Sequence, residues 1–166
     1  MSIPLPVASL TRDAFRRFGD VLDASGPADA VANAGAAQIY RERGEADFGE
    51  QGGRISFNVV RTAPRSLPIM IDRMERHPLG AQMFAPLGVA DWLVVVAPAG
   101  RLDPAAVVAF RVQPGQAVNF RRGVWHSPLL ALAREIDFLV IERAGEGANL
   151  DLESLAAPFV IASLAS

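Results

Sequence analysis

The chain has 166 residues, 51% of them hydrophobic and 20% charged, with a formal net charge of −2. That length suits one domain, residues 1–166, able to bury roughly 70% of the surface its unfolded chain exposes. The interspersed charge offers no basic face to nucleic acid, and a chain with no cysteine and no lysine has no thiolate nucleophile, disulfide framework or lysine Schiff base.

The N-terminal stretch "MSIPLPVASLTRDAF" lacks the basic region and long apolar core of a signal peptide, and no apolar run reaches the roughly eighteen residues of a membrane span. A cytoplasmic protein without membrane contact is expected. "IPLPV" predicts an edge strand, because alternate prolines cannot donate to a ladder. Thr11 then caps a short helix over residues 12–18 that sets Phe15 and Phe18 on one face and ends at Gly19. Residues 24–37 are small and periodless and predict a mobile loop, expected to cover the site.

From there strand patterns dominate. Residues 38–43, 54–61, 69–76, 82–86, 92–98, 107–112, 116–120, 124–132 and 136–143 are short, rich in β-branched or aromatic residues, and bounded by Gly or Pro. Residues 103–110 open as a helical turn, and 151–157 predict a short helix. Many short strands with few helices predict a mostly β fold: an antiparallel sandwich, jelly roll or small barrel, with no internal repeat.

The chain has two histidines. In "ERHPLGAQ", Glu75 and His77 are two apart and point to the same side of a strand, and Gln82 returns to that side after the "PLGA" turn. His126, in "FRRGVWHSP", is placed to supply a fourth group. Such a set suits a first-row divalent ion better than calcium. The same residues read equally as a surface ion pair, a turn histidine and a hairpin whose Trp125 is core, so spacing leaves both readings open. Trp125 offers an aromatic wall, and Asn119, Tyr40, Asn58 and Arg143 are polar residues in strand-like segments. A carboxylate ligand calls for an arginine fork, but sixteen arginines leave its identity open.

"ERHPLGAQMFAPL" (75–87), "VNFRRGVWHSPL" (118–129) and "DFLVIER" (137–143), following "LTRDAFRRFGDVL" (10–22), resemble the ureidoglycolate lyase family over essentially the whole chain. The resemblance implies a cupin-like double-stranded β-helix with a few short helices, usually a homodimer, acting on a small-molecule substrate in allantoin and purine degradation. Ordinary cupins carry H-x-H followed by Glu, then P-x-G-x-x-H. Here Glu75, His77 and Gln82 stand in the first motif; in the second, "RRGVWH", Arg121 takes the usual proline place and His126 the histidine place.

The resemblance also implies a divalent ion, nickel, held by Glu75, His77, Gln82 and His126, and no organic cofactor. It implies cleavage of ureidoglycolate to glyoxylate and urea; for that reaction the residues read above give His77, His126 and Glu75 as expected catalytic groups and Gln82, Asn119, Trp125, Tyr40 and Arg143 as expected substrate contacts. Either a histidine removes the hydroxyl proton, or a metal binds the hydroxyl and the ligated imidazoles cannot act as bases. The alternatives are an amidohydrolase releasing ammonia, a non-catalytic small-acid-binding cupin, and a sugar-modifying cupin, for which 7% aromatic residues is low.

Overall fold

The computed structural model describes residues 1–164. The first part of the chain carries β1 (Ile3–Pro4), β2 (Val7–Ser9), α1 (Arg12–Phe15), β3 (Gly19–Leu22), β4 (Ala30–Ala32) and β5 (Ala37–Ile39). The middle carries β6 (Arg54–Thr62), β7 (Ile69–Arg76), β8 (Gln82–Pro86), β9 (Trp92–Ala97) and β10 (Val108–Val112). The last part carries β11 (Ala117–Phe120), β12 (Trp125–His126), β13 (Leu130–Ala131), β14 (Ile136–Ala144) and β15 (Asp151–Ile161). None of the described helices is long and apolar enough to cross a membrane.

Two sheets face each other. The larger runs β1-β15-β7-β12-β9-β10-β2, with β13 also on β9; the smaller runs β3-β11-β8-β14-β6, and β4-β5 is a separate hairpin. β9 is buried along its whole length, as a continuous apolar run requires. Its Trp92, Val94 and Val96 enter the core between the sheets with Phe84, Val118, Phe120, Phe138 and Val140. Its Leu93, Val95 and Ala97 enter a second core with Ile69, Ile71, Met74 and Phe159.

β7 changes face partway along. Ile69 and Ile71 are buried in the second core, Asp72 and Arg73 are both exposed, and Met74 is buried in that second core again. The break lies opposite an irregularity in β15, where Ser154 pairs with Arg73 but Phe159 pairs with Ile71. This shift turns Glu75 to the inner side, against Phe84 and Val140.

Several expectations hold. Residues 69–76 and 82–86 are strands with those bounds, "IPLPV" lies at a sheet edge, and Thr11 Oγ1 accepts from Ala14 N. Residues 103–110 do open as a turn, Pro104–Ala106, capped by Asp103.

Others are corrected. The first helix is one turn, Arg12–Phe15, and Gly19 starts β3 instead of capping. A Cβ on Gly19 would fall 1.8 Å from the Asn119 carbonyl oxygen, so close approach to β11 is what needs glycine there. Residues 24–37 are not one loop: β4 pairs with β5, Asp29 accepts from Arg41 N, and none of these residues lines the main cleft. The strand expected over 38–43 accordingly stops at Ile39. The strand expected over 124–132 is two short pieces separated at Pro128. Residues 151–157 are strand, not helix: pairing with β7 overrides their helix propensity, and Pro158 bars a helical continuation.

Trp92 and Phe138 are fully buried, with rings edge-to-face at 4.8 Å. Phe138→Ala is expected to lower unfolding free energy by about 3–5 kcal/mol, seen in urea titrations as a lower midpoint at unchanged slope.

Candidate active site

His126 is the cross-strand partner of Glu75 on β7 and of Val96 on β9. Its ring stacks on Phe120, centroids 4.5 Å apart and planes 9° from parallel, and stacks with His77 at 5.3 Å. Only 1% of His126 is exposed. Burial and the neighbouring His77 pull its pKa down to about 3, so the imidazole is neutral across the physiological range.

The hydrogen bonds select the tautomers. His126 Nδ1 lies 3.1 Å from the Val124 carbonyl oxygen, and His77 Nδ1 lies 2.7 Å from that of Asn149. A carbonyl only accepts, so each Nδ1 carries a proton, and the neutral imidazole of His126 is left with its lone pair on Nε2. Asn149 also accepts from Leu79 N through Oδ1 at 2.8 Å, which fixes the turn that carries His77.

His77 Nε2 is buried without a hydrogen-bond partner. His126 Nε2 lies 3.0 Å from Gln82 Oε1 and 3.6 Å from Glu75 Oε1. Gln82 Nε2 donates to Glu142 Oε2 at 2.8 Å, so Gln82 presents its oxygen, another acceptor, to the histidine. Gln82 Oε1 and Glu75 Oε1 thus both lie beside His126 Nε2, with the unpartnered His77 Nε2 in the same cluster. The donor atoms of Glu75, His77 and His126 lie within 4.8 Å of one another. An orphaned buried nitrogen and a ring of mutually facing acceptors fit a bound cation, and two imidazoles, a carboxylate and an amide oxygen suit a first-row divalent ion.

Glu75 and Gln82 of this cluster line a cleft of about 620 Å³, together with the carboxylate Glu142, the apolar Phe84, Leu129 and Val140, and the arginines Arg61 and Arg65. Burial pushes the Glu75 carboxyl pKa up; His77 and Arg73 oppose the rise and Glu142 adds to it. Glu142 is held by both oxygens: Asn58 Nδ2 donates to Oε1 at 2.9 Å, and Gln82 Nε2 to Oε2.

The structure brings together Glu75, His77, Gln82 and His126. It does not bring the remaining four candidates to the cleft. Trp125 lies in the second core, donating to the Gly100 carbonyl at 2.9 Å with Arg76 over its ring. Asn119 donates to Asp20 and to the Glu45 carbonyl, facing a separate recess with Met83 and Ile141. Arg143 donates to the Glu146 carbonyl at 2.7 Å, and Tyr40 donates to Gln38 beside Arg43. Glu142 and Arg65 also line the cleft and Asn149 bonds His77, three residues not singled out from the sequence.

Two curled sheets packed face to face, with a histidine and carboxylate cluster between their strands, define a cupin-like β-barrel. The fold is similar to that of RmlC from Streptococcus suis in complex with dTDP-D-xylose, with a TM-score of 0.51 at 11% identity over 89% of this chain and 74% of that one. A family model described as Ureidoglycolate lyase matches residues 2–162, and the chain belongs to that family. A ureidoglycolate lyase of Burkholderia mallei is 42% identical over 91% of this chain and 89% of its own length. One of Rhizobium etli is 40% identical over 98% of each.

The depressed His126 pKa makes a stability prediction for chelator-treated protein. The unfolded chain takes up the His126 proton near pH 6.5 while the folded one resists until about pH 3. Stability is therefore fully present above pH 6.5 and falls as pH drops toward 3, by a span on the order of 5 kcal/mol. His126→Gln is expected to flatten that part of the stability profile, read by denaturant melts from pH 7 to 4.

Proposed function

We propose that the chain cleaves ureidoglycolate to glyoxylate and urea, as the names of its relatives suggest, at the cleft above Glu75, His77, Gln82 and His126. The observation that carries the reading is the ring of four lone-pair donors beneath a cleft into which one further carboxylate, Glu142, opens. We assign those four residues to a divalent ion, nickel by family resemblance.

Ureidoglycolate is the carbinolamine of urea and glyoxylate. Its cleavage removes the 2-hydroxyl proton, turns that C–O bond into the aldehyde carbonyl as the C–N bond breaks, and delivers a proton to the departing urea nitrogen. No water is consumed. A divalent ion at this site supplies Lewis acidity, which lowers the pKa of a hydroxyl.

Proton movement falls to Glu142. Neither histidine is in the cleft lining and His126 is almost wholly buried, so we assign the base to this carboxylate in preference to a histidine. Asn58 and Gln82 each hold one of its oxygens and fix its orientation. The second lone pair on each oxygen is left to take the hydroxyl proton and return it to the urea nitrogen. Phe84, Leu129 and Val140 wall the cleft with apolar surface that limits water.

Glu142→Gln is expected to lower kcat by about 10²–10⁴-fold while bound metal, measured by elemental analysis, stays at the wild-type level. Unchanged turnover in this variant would remove Glu142 from the reaction. Chelated protein is expected to lose urea release and regain it with nickel; release of ammonia in place of urea favours the amidohydrolase reaction.

We extend the proposal to a homodimer. β6 is nine residues long and, among the described residues, pairs only with β14. It exposes Ile55, Phe57 and Val59 at 48%, 68% and 66%, an unguarded edge of the kind soluble proteins cover. Phe57→Glu is expected to convert the protein to monomer in light scattering; a dimer that persists places the interface elsewhere.

A further inference from the structure

The substrate and one product of the proposed reaction are carboxylates, yet the cleft floor carries Glu75 and Glu142. An anion entering there needs a fixed cation to offset their repulsion. Two arginines line the cleft, Arg61 and Arg65. Arg61 is already engaged: its Nε and Nη2 donate to the two Asp137 oxygens at 2.7 and 2.9 Å, and Glu135 lies 3.4 Å away.

Arg65 differs in each respect. Its backbone is fastened, N donating to the Ala131 carbonyl at 2.8 Å beside a parallel bridge to Leu132. Its guanidinium makes no hydrogen bond or ion pair with any described residue. It lines both the main cleft and an adjoining recess, as does Pro128, so the two spaces meet at these residues. The recess also holds Arg73, which sits two positions before Glu75 on β7 and acts electrostatically on its carboxyl. Asp72 is the acidic residue lining that recess, so the two guanidiniums leave it net positive.

We propose that Arg65, supported by Arg73, anchors the substrate carboxylate at the junction of cleft and recess, an assignment that rests on the lyase reading. A guanidinium presents paired N–H donors that match both carboxylate oxygens. With the carboxylate held there, the carbinol carbon and urea arm extend across the floor toward Glu142. Arg65 is a binding and orienting residue, and its contact persists from substrate to glyoxylate.

The test uses the metal-loaded protein, with steady-state kinetics on ureidoglycolate and calorimetric titration with glyoxylate. Arg65→Gln is expected to raise KM and the glyoxylate Kd together by about 10–100-fold, with kcat within about threefold, the signature of lost uniform binding. Arg65→Lys is expected to recover part of the loss, restoring charge without the fork, and Arg73→Gln to show a smaller loss of about 3–10-fold. Arg61→Gln, whose guanidinium is committed to Asp137, is expected to change either constant by no more than about twofold. Wild-type KM and glyoxylate Kd in Arg65→Gln would overturn the assignment. A wild-type protein that releases no urea overturns the lyase reading instead, and glyoxylate titration still decides whether Arg65 is the anchor.

Discussion

The imidazole of His126 is stacked flat on Phe120, bonded through Nδ1 to the Val124 carbonyl and almost sealed from solvent, and this fixes where its remaining lone pair points. Burying an imidazole this way is tolerable only in the neutral form with one nitrogen satisfied. The two-residue strand that carries it is clamped on both sides, by β7 and by β9. Glu75 is set opposite by register, Gln82 turns its oxygen inward because its amide nitrogen donates to Glu142, and Asn149 orients His77. His126, Gln82 and His77 are each held by a neighbour outside the four, and Glu75 is placed by its strand register with His126, which is how a site keeps its geometry before anything binds.

Much of the fold was legible because strand patterning and burial agree. The bounds of β7 and β8 follow from alternation between turn residues, and β9 reads as a continuous apolar run because both its faces are covered. What was not legible depended on distant partners. "DLESLAA" has the local composition of a helix and becomes strand only because it adds to β7, some eighty residues away in the chain. The Ala-rich stretch around β4 and β5 has no period, and its hairpin is held by pairing alone.

Within the site, the motif residues come together, while three of the other candidates lie one position from a residue that faces inward. Trp125, Asn119 and Arg143 each adjoin a residue that faces inward: His126, Phe120 and Glu142. Side chains alternate along a strand, so an error of one position exchanges inside for outside. The signal that resolves it is in the sequence: Phe138 and Val140 are apolar at alternate positions, and continuing that parity reaches Glu142, not Arg143. Arg65 carried no such signal, because it lies between strands and its position is set by the bond to Ala131.

The break in alternation at Asp72 and Arg73 also bears on how the length of this region can vary. It uncouples the two halves of β7, so the part packed on the second core and the part that feeds the cleft keep separate phases. A residue gained or lost before the break is absorbed where β15 already bulges. One gained or lost after it rotates Glu75 and His77 outward and brings Met74 or Arg76 to the cleft floor. A one-residue change of length in β7 therefore disturbs the cleft less on the N-terminal side of the break than on the C-terminal side.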